Sequence, residues 1–271
     1  MPTIFHGFGD IVDGHLHLDE NWAGKPPRYQ HPTTLLVLCD ENATDVDGVR
    51  LVHDLYDKIL LNWNQWQRTV PPSSKNWRFE KRPKYRAGNP SPEVVLERTI
   101  ARVVDDNWAN QIPVDSGLVS RHSSHLDFAY RNGAEFSFIE LKYESNSPLS
   151  AAIQVLGYGL VYALFRSHAE ILGINLNSSP ILEASSIHLR VLAPSKFYAR
   201  YGANLEWLSR FEKAIHKGLG RFSQESELPC MTFGFEAFPT DFRWNPHTAE
   251  GLATQKNVLW AVHRRNPVFG P

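Results

Sequence analysis

Cysteine is scarce in this chain of 271 residues, which contains only Cys39 and Cys230. The two residues form no Cys-x-x-Cys motif, so the sequence indicates neither a disulfide framework nor a zinc ribbon. A glycine-rich phosphate loop, a Gly-x-Ser-x-Gly elbow and a Cys/His dyad are also missing. The sequence therefore carries no signature of those common catalytic sites.

Long hydrophobic runs are missing as well. The longest apolar stretch, AAIQVLGYGLVYALF, has 15 residues and includes Gln154. By itself this run is too short to span a bilayer. The first residues, MPTIFHGFGDIVDG, show no basic region followed by an apolar run, so we predict no signal peptide. These absences predict a cytoplasmic protein without membrane contact.

Charge of neither sign dominates the whole chain, but its distribution is uneven. The net charge is −1, and residues 1–60 contain four Lys or Arg against ten Asp or Glu. Residues 75–102 contain eight against three, and residues 190–222 contain seven against two. Aromatic residues are interleaved in the first basic segment, a composition that suits a phosphate backbone and unstacked bases. The simpler alternative is a solvated surface. The candidate contacts in this segment are Lys81, Arg82, Lys84 and Arg86.

Composition divides the chain into four parts. Residues 1–70 form an N-terminal α/β elaboration of open role, in which we predict a strand at 33–40 and a helix at 45–68 with Asp45 as its N-cap. A basic, proline-rich linker follows at 71–90 and separates this part from the rest. The remaining parts are a core at 91–240 and a C-terminal extension at 241–271.

The core reads as an α/β unit with the order α-β-β-β-α-β-α-β. Ser91 and Ser147 are predicted N-caps of two of its helices, each followed by a proline in the first turn. The dipeptide Asn132-Gly133 predicts a tight hairpin between the second and third strands. The predicted helices cover 91–108, 148–167 and 204–219, and the predicted strands cover 116–120, 125–131, 135–143, 186–194 and 230–238.

Two carboxylates and a lysine converge in this reading. Asp127 and Glu140 lie on the two strands of the predicted hairpin, and Lys142 follows Glu140 by two residues, so their side chains share a face. Two carboxylates form an oxygen-rich site for Mg²⁺ or Mn²⁺. A lysine beside such an ion can hold an attacking water and oppose charge on a phosphorane. In the next helix, Gln154 and Tyr158 are four residues apart and also share a face.

This arrangement resembles the PD-(D/E)xK nuclease superfamily. The resemblance rests on the segments LD127FAY, FIE140LK142Y and Q154VLGY158. The third segment is similar to the helix motif of the RecB-like exonuclease branch. The resemblance covers about residues 91–240. The proline that names the family is absent, because Leu126 precedes Asp127. The resemblance implies a restriction-endonuclease-like mixed sheet with an α-β-β-β-α-β core and metal-dependent hydrolysis of phosphodiester bonds, usually in DNA.

The resemblance also implies roles for individual residues. Asp127 and Glu140 would bind Mg²⁺ or Mn²⁺, with the backbone carbonyl of Leu141 as a third ligand, and Lys142 would activate the nucleophile. The family places an acid on the first core helix, where Glu93 and Glu97 share a face. We choose Glu97, which would hold a metal-bound water. Gln154 would orient Lys142 or the phosphate, and Tyr158 would contact nucleic acid. A homodimer would suit cleavage of both strands.

Three alternatives accompany this expectation. The same fold without turnover would be a nucleic-acid-binding module. Separately, IVDGHLHLDE resembles the opening of TIM-barrel amidohydrolases, in which His15 and His17 would bind a metal at the end of the first strand. A pair formed by His122 and His125 could assist with phosphate or water, although polar surface explains it better.

Overall fold

The computed structural model describes residues 3–18, 28–38, 45–66, 71–84, 91–120, 123–144, 146–200 and 205–270. The strands of this part form one open sheet of six in sequential order. The first three strands pair antiparallel, the third, fourth and fifth pair parallel, and the sixth is antiparallel to the fifth. The strands are β1 Trp108–Pro113, β2 His125–Asn132, β3 Glu135–Leu141, β4 Ser186–Pro194, β5 Cys230–Phe238 and β6 Asn266–Pro267.

Helices flank both faces of this mixed sheet, so the fold is α/β. One face carries a large apolar cluster that joins the sheet to α5 and to the helices behind it. The other face carries a smaller cluster with α4 and α9. The helices are α1 Phe8–His15, α2 Thr34–Leu38, α3 Gly48–Trp66, α4 Pro92–Val103, α5 Pro148–Ser167, α6 Ala169–Leu172, α7 Ser195–Ala199, α8 Glu206–Glu225 and α9 Leu252–His263, with 3-10 turns at Leu176–Ser178 and Pro246–Thr248.

The predicted order of core elements is confirmed from α4 to β5, with the short helices α6 and α7 inserted. Both predicted serine caps are present. Ser91 Oγ accepts the Val94 N–H at 3.3 Å, and Ser147 Oγ accepts the Ser150 N–H at 3.1 Å. The hairpin is also confirmed, because Asn132 pairs with Glu135 across a two-residue turn. Gly133 adopts a φ of 63° in this turn, a conformation that glycine tolerates without cost.

The first core strand was predicted in the wrong place. Residues 116–120 form turns, and the strand is β1, eight residues earlier. The predicted helix at 91–108 consequently ends at Val103. The adjacent polar residues Asn110 and Gln111 interrupt the alternation that identifies a strand. Gln111 also has a φ of 52°, which is rare for a residue with a side chain.

Two predictions for the N-terminal part are wrong. The predicted strand at 33–40 is the helix α2, with residues 39 and 40 outside the described residues. Leu35 and Leu38 are buried one helical turn apart, a spacing that a short apolar run does not distinguish from a strand. Asp45 does not cap α3, since that helix begins at Gly48 and the Asp47 carboxylate accepts the Arg50 N–H at 3.1 Å.

Helix α5 is the centre of the larger cluster. At 20 residues it is longer than the apolar run in the sequence, and its length and composition would suit a membrane span. In the structure, however, 89% of its most apolar window is buried inside the protein. Gly159 permits close contact with the sheet, because a Cβ there would lie 2.6 Å from Leu189. Gly157 faces Phe5 and not the sheet, contrary to our expectation that both glycines serve the same contact.

Helices α3 and α8 touch through their backbones. A Cβ on Gly48 would lie 2.1 Å from the Ala214 carbonyl oxygen, and a Cβ on Gly218 would lie 2.2 Å from the Gly48 carbonyl oxygen. Neither distance leaves room for a methyl group, so this crossing requires glycine on both helices. The contact fixes the N-terminal helix α3 against the last long helix of the sheet layer.

Replacing Gly218 should therefore damage the fold. We expect Gly218→Ala to lower the free energy of unfolding by about 3 kcal/mol, the upper part of the usual overpacking range. Urea denaturation measures the effect. Gly220→Ala is the matched control, since no atom lies within 4 Å of its Cβ position. The control should gain about 0.5–1 kcal/mol from helix propensity. Equal effects of the two variants would contradict the crossing.

Candidate active site

The hairpin of β2 and β3 brings Asp127 and Glu140 together. Phe128 pairs with Ile139, so the next positions along the same register are Asp127 and Glu140. Directly opposed residues of an antiparallel pair point to the same face. That face is the one on which Phe138 packs against α5, so both acids stand under this helix. They lie toward the carboxyl end of β3, an edge where α/β sheets commonly bind ligands.

Lys142 completes this cluster by pairing with Glu140. Its Nζ lies 2.7 Å from Glu140 Oε1 and 3.6 Å from Glu93 Oε1. The side chains of Lys142 and Glu140 are only 5% and 1% exposed. Burial lowers the pKa of Lys142, but the charges of Glu140, Asp127 and Glu93 outweigh it and raise the pKa above its usual range. Lys142 is therefore held as an ammonium.

The charged forms of the two carboxylates on the sheet, Asp127 and Glu140, are destabilised, whereas the charged form of Lys142 is stabilised. Burial raises the pKa of Glu140, and the neighbouring charge of Asp127 raises it further. Burial also raises the pKa of Asp127 to about 6, against the opposing effects of Lys142 and of the Leu141 N–H. Glu140 Oε2 is buried without a hydrogen-bond partner, a state that costs free energy until a proton or cation joins it.

These residues suit a divalent cation in number and chemistry. Mg²⁺ is commonly held by one or two carboxylates, with waters and substrate oxygens as its other ligands. Asp127 and Glu140 supply two carboxylates, and Glu140 Oε2 offers a free acceptor. The Leu141 N–H donates to Asp127 Oδ2 at 2.9 Å and orients it, while the Leu141 carbonyl remains a predicted ligand. Within the described ranges, no group of three or more His, Cys, Asp or Glu side chains could hold a metal.

The helix acids occupy two neighbouring positions. Glu93 is in direct contact with the cluster, because its carboxylate reaches Lys142 and also accepts the Tyr143 N–H at 3.0 Å. Glu97, the residue we chose, is almost fully buried and accepts hydrogen bonds from Asn110 at 2.6 Å and Gln111 at 3.0 Å. Burial and the charge of Asp127 raise the pKa of Glu97 to about 8.

Asn110 and Gln111 connect Glu97 to the sheet. The sequence motif includes neither residue. The pairs on either side, Asn110 with Phe128 and Ile112 with Leu126, place Gln111 opposite Asp127. Asn110 is held in turn by the Arg82 backbone, whose N–H donates to Asn110 Oδ1 at 2.5 Å. The only sequence signal was two polar residues inside an apolar segment.

Gln154 and Tyr158 share a face of α5 as predicted. Gln154 Nε2 donates to Tyr158 Oη at 2.9 Å. Burial and the charge of Glu140 raise the pKa of Tyr158 well above its usual range, so the phenol keeps its proton beside the acids. In this arrangement Gln154 bonds to Tyr158, and its action on Lys142 or on a phosphate stays a prediction.

The predicted basic contacts differ in their exposure and in their partners. Arg82 and Lys84 are exposed, whereas Lys81 is bound to Asp106 at 2.7 Å and to the Val104 carbonyl at 3.2 Å. Arg86 lies outside the described residues. From the second basic segment, Lys196 and Arg200 both contact Glu144, two residues after Lys142. Arg190, in contrast, is paired with Glu236 on the sheet.

Two histidines of the alternative predictions, His15 and His125, lie on α1 and β2. His15 ends the helix α1 and bonds to Asp54 at 2.7 Å, so it does not end a barrel strand. The sheet of the described residues is open and has six strands, which removes the barrel context that this alternative needs. His125 begins β2, and burial lowers its pKa. His122 lies outside the described residues.

A scan against protein-family models found no match to this chain, and searches of curated proteins and of solved structures found none either.

The buried pair makes a prediction about stability. Removing the charge of Lys142 alone leaves Glu140 buried beside two other carboxylates, so Lys142→Met should lower the free energy of unfolding by about 3–5 kcal/mol. Adding Glu140→Gln should restore much of this loss, because the orphaned charge is then gone. Urea denaturation of the two single variants and the double variant measures the coupling. Additive losses would show that the two side chains do not interact.

Cation binding should also stabilise the fold. If Asp127 and Glu140 hold Mg²⁺ or Mn²⁺, wild-type unfolding should gain about 2.7 kcal/mol when the ion is at 100 times its Kd. Thermal and urea denaturation with each ion or with EDTA measures the gain. Asp127→Asn should remove it, and Glu250→Gln, which changes an exposed carboxylate on another loop, should retain it. An ion effect unchanged in Asp127→Asn would place the cation elsewhere.

Proposed function

We propose that this protein is a metal-dependent nuclease of the PD-(D/E)xK type that hydrolyses phosphodiester bonds in nucleic acid, with DNA as the expected substrate. The observation that carries the proposal is the set of Asp127, Glu140 and Lys142 at one end of a hairpin, in which Glu140 and Lys142 are buried and Asp127 is half-buried. Structural ion pairs seldom leave a carboxylate oxygen buried without a partner, as Glu140 Oε2 is. A bound cation, or a proton shared with Asp127, would satisfy that oxygen.

The order of elements supports the finer fold. From α4 to β4 the chain passes through a helix, three antiparallel strands, a helix and a parallel strand, with the four-residue α6 and the 3-10 turn Leu176–Ser178 added. The resemblance implies the same α-β-β-β-α-β order with the acids on its second and third strands. We therefore propose a restriction-endonuclease-like core for residues 91–240, extended by the N-terminal helices.

Each residue has a role in this proposal. Asp127 and Glu140 would hold Mg²⁺ or Mn²⁺ with the Leu141 carbonyl. Such an ion polarises a phosphoryl oxygen and lowers the pKa of a bound water. Lys142 is kept as an ammonium, so it would hold the attacking water by donating to it and would oppose the charge on the phosphorane. The water oxygen would bond to phosphorus as the bond from phosphorus to the ester oxygen breaks, with the proton lost by the water passing to solvent and the leaving oxygen taking a proton from solvent.

The helix acids would act around this centre. Glu93 positions Lys142 by contacting its Nζ, and its second oxygen fixes the backbone at Tyr143. Glu97 is proposed to hold a water at the site, and its pKa of about 8 lies near the range useful for proton transfer. Asn110 and Gln111 keep the Glu97 carboxylate in place.

The surrounding charges suit a polyanion. Arg82 and Lys84 are exposed near α4, and Lys196 and Arg200 stand beside the end of β3. These cations would guide a phosphate backbone toward the buried acids. A cytoplasmic location and a homodimer remain predictions from the sequence.

A binding module of the same fold is the second candidate. The combination of two neighbouring carboxylates with Lys142 favours the nuclease over this module, because the module needs no group that acts on a water. DNA binding that is independent of metal, with no cleavage under any cation, would favour the module.

A cleavage assay tests the proposal. Supercoiled plasmid, single-stranded circular DNA and RNA would be incubated with Mg²⁺, Mn²⁺ or EDTA. We expect metal-dependent cleavage that Lys142→Ala and Asp127→Ala reduce by at least about 10²-fold, the usual size of one catalytic contribution. Lys256→Ala, an exposed lysine on α9, should cleave as the wild type does. Wild-type cleavage by both site variants would rule out the assigned residues.

A further inference from the structure

A cavity of about 270 Å³ lies between the N-terminal helices and α5, next to the candidate active site. Four aromatic side chains line it: Phe5, Phe8, Tyr29 and Tyr158. Phe5 meets Phe8 and Tyr158 edge to face, at centroid distances of 5.4 and 6.0 Å. Gly157 forms part of the floor, and a Cβ there would lie 3.1 Å from the Phe5 ring. The absence of a side chain lets the Phe5 and Phe8 rings pack directly against the backbone of α5.

Polar groups stand among these rings. Gln30, Gln154, Ser124 and Ser150 also line the cavity. The Gln30 amide donates to Tyr29 Oη at 3.3 Å and keeps a carbonyl and a second N–H for a ligand. Flat apolar walls with a few amides and hydroxyls are the surroundings that a heterocyclic base finds in nucleic-acid-binding proteins.

The position of the cavity connects it to the acids. Tyr158 lines the cavity, and the charges of Glu140 and Asp127 raise the pKa of its hydroxyl. Ser124 lines it and donates to Asp115 through both its N–H and its hydroxyl, immediately before β2 begins. A chain whose phosphate lies at Asp127 would therefore have a neighbouring base within reach of the cavity.

Size limits the occupant. The volume is slightly below the range of about 300–1,000 Å³ that holds drug-sized ligands. One base fits such a space, whereas a stacked base pair does not. The lining contains no Lys or Arg, so the cavity itself is not built for a phosphate.

We propose that this cavity receives a single unstacked nucleobase of the substrate, so that the N-terminal helices select single-stranded or locally opened nucleic acid. The proposal rests on the proposed function for its ligand class. It gives residues 1–70 a role in recognition, with Phe5, Phe8 and Tyr29 as stacking surfaces and Gln30 as a hydrogen-bonding group.

Binding without cleavage tests the proposal separately from catalysis. Fluorescence anisotropy in EDTA would compare a labelled single-stranded oligothymidylate of about twelve nucleotides, the matching duplex, and an abasic strand of the same length that keeps every phosphate. We expect the wild type to bind the single strand about 10-fold more tightly than the abasic strand, since stacking of one base is worth that much. The duplex should compete poorly.

Filling the cavity should abolish this preference. Ser150 is partly exposed in the cavity, and its backbone N–H alone serves the α5 cap, so Ser150→Phe leaves the cap intact. The variant should bind the single strand and the abasic strand equally. Ser209→Phe places the same side chain on α8, outside the cavity lining, and should keep the wild-type preference. Gln30→Ala, which alters an exposed side chain, should reduce the preference without affecting thermal stability.

The outcomes separate the two proposals. Equal wild-type binding of normal and abasic strands, or a preference that survives in Ser150→Phe, would overturn the base cavity even if metal-dependent cleavage is observed. No binding of any strand would overturn it as well. A preference lost in Ser150→Phe without cleavage by the wild type would support the cavity and reject the nuclease.

Discussion

The register of β2 against β3 is the constraint on which the candidate site depends. Side chains alternate between the two faces of a strand, so a slip of one residue would move Asp127 to the face opposite Glu140. The two-residue turn at Gly133 prevents that slip by fixing which residues pair first. Apolar packing enforces the same register, since Phe138 lies under α5 and Ile139 lies in the cluster with α4.

The charges of the site are unevenly balanced. Asp127, Glu140 and Glu93 place three carboxylates around one ammonium, and most of these groups are shielded from water. Such a cluster is expensive to bury unless another positive charge or a proton enters it. A cation bound there would offset this cost, and the amides of Asn110 and Gln111 hold the neighbouring Glu97 carboxylate in place.

Local signals in the sequence predicted much of the core. The serine caps, the hairpin signal at Asn132-Gly133 and the alternation around Asp127 and Glu140 each act over a few residues. The caps, the hairpin and the register are confirmed, with Gly133 and Ala134 as the two turn residues. The strand β1 escaped prediction because its polar centre bonds to Glu97 on a helix, an interaction that no local pattern reveals.

The sequence does not predict how residues that are far apart in the chain pack against each other. The choice between Glu93 and Glu97 depends on how α4 lies across the end of β3, and both residues share one face of that helix. The cavity depends on Phe5 and Tyr29 meeting α5, residues separated from it by more than a hundred positions. Helix α2 differs from the predicted strand because its four apolar residues carry too little periodicity to distinguish a helix from a strand.

The order of elements along the chain protects α5 during synthesis. This helix is apolar enough to enter a bilayer, and an uncovered helix of that kind invites aggregation. Its partners α3 and β3 precede it in the chain, so they leave the ribosome first and can receive it as it forms. The strand β4, which supplies Leu189 against Gly159, follows shortly afterwards. This apolar helix therefore has two of its packing partners already synthesised when it forms.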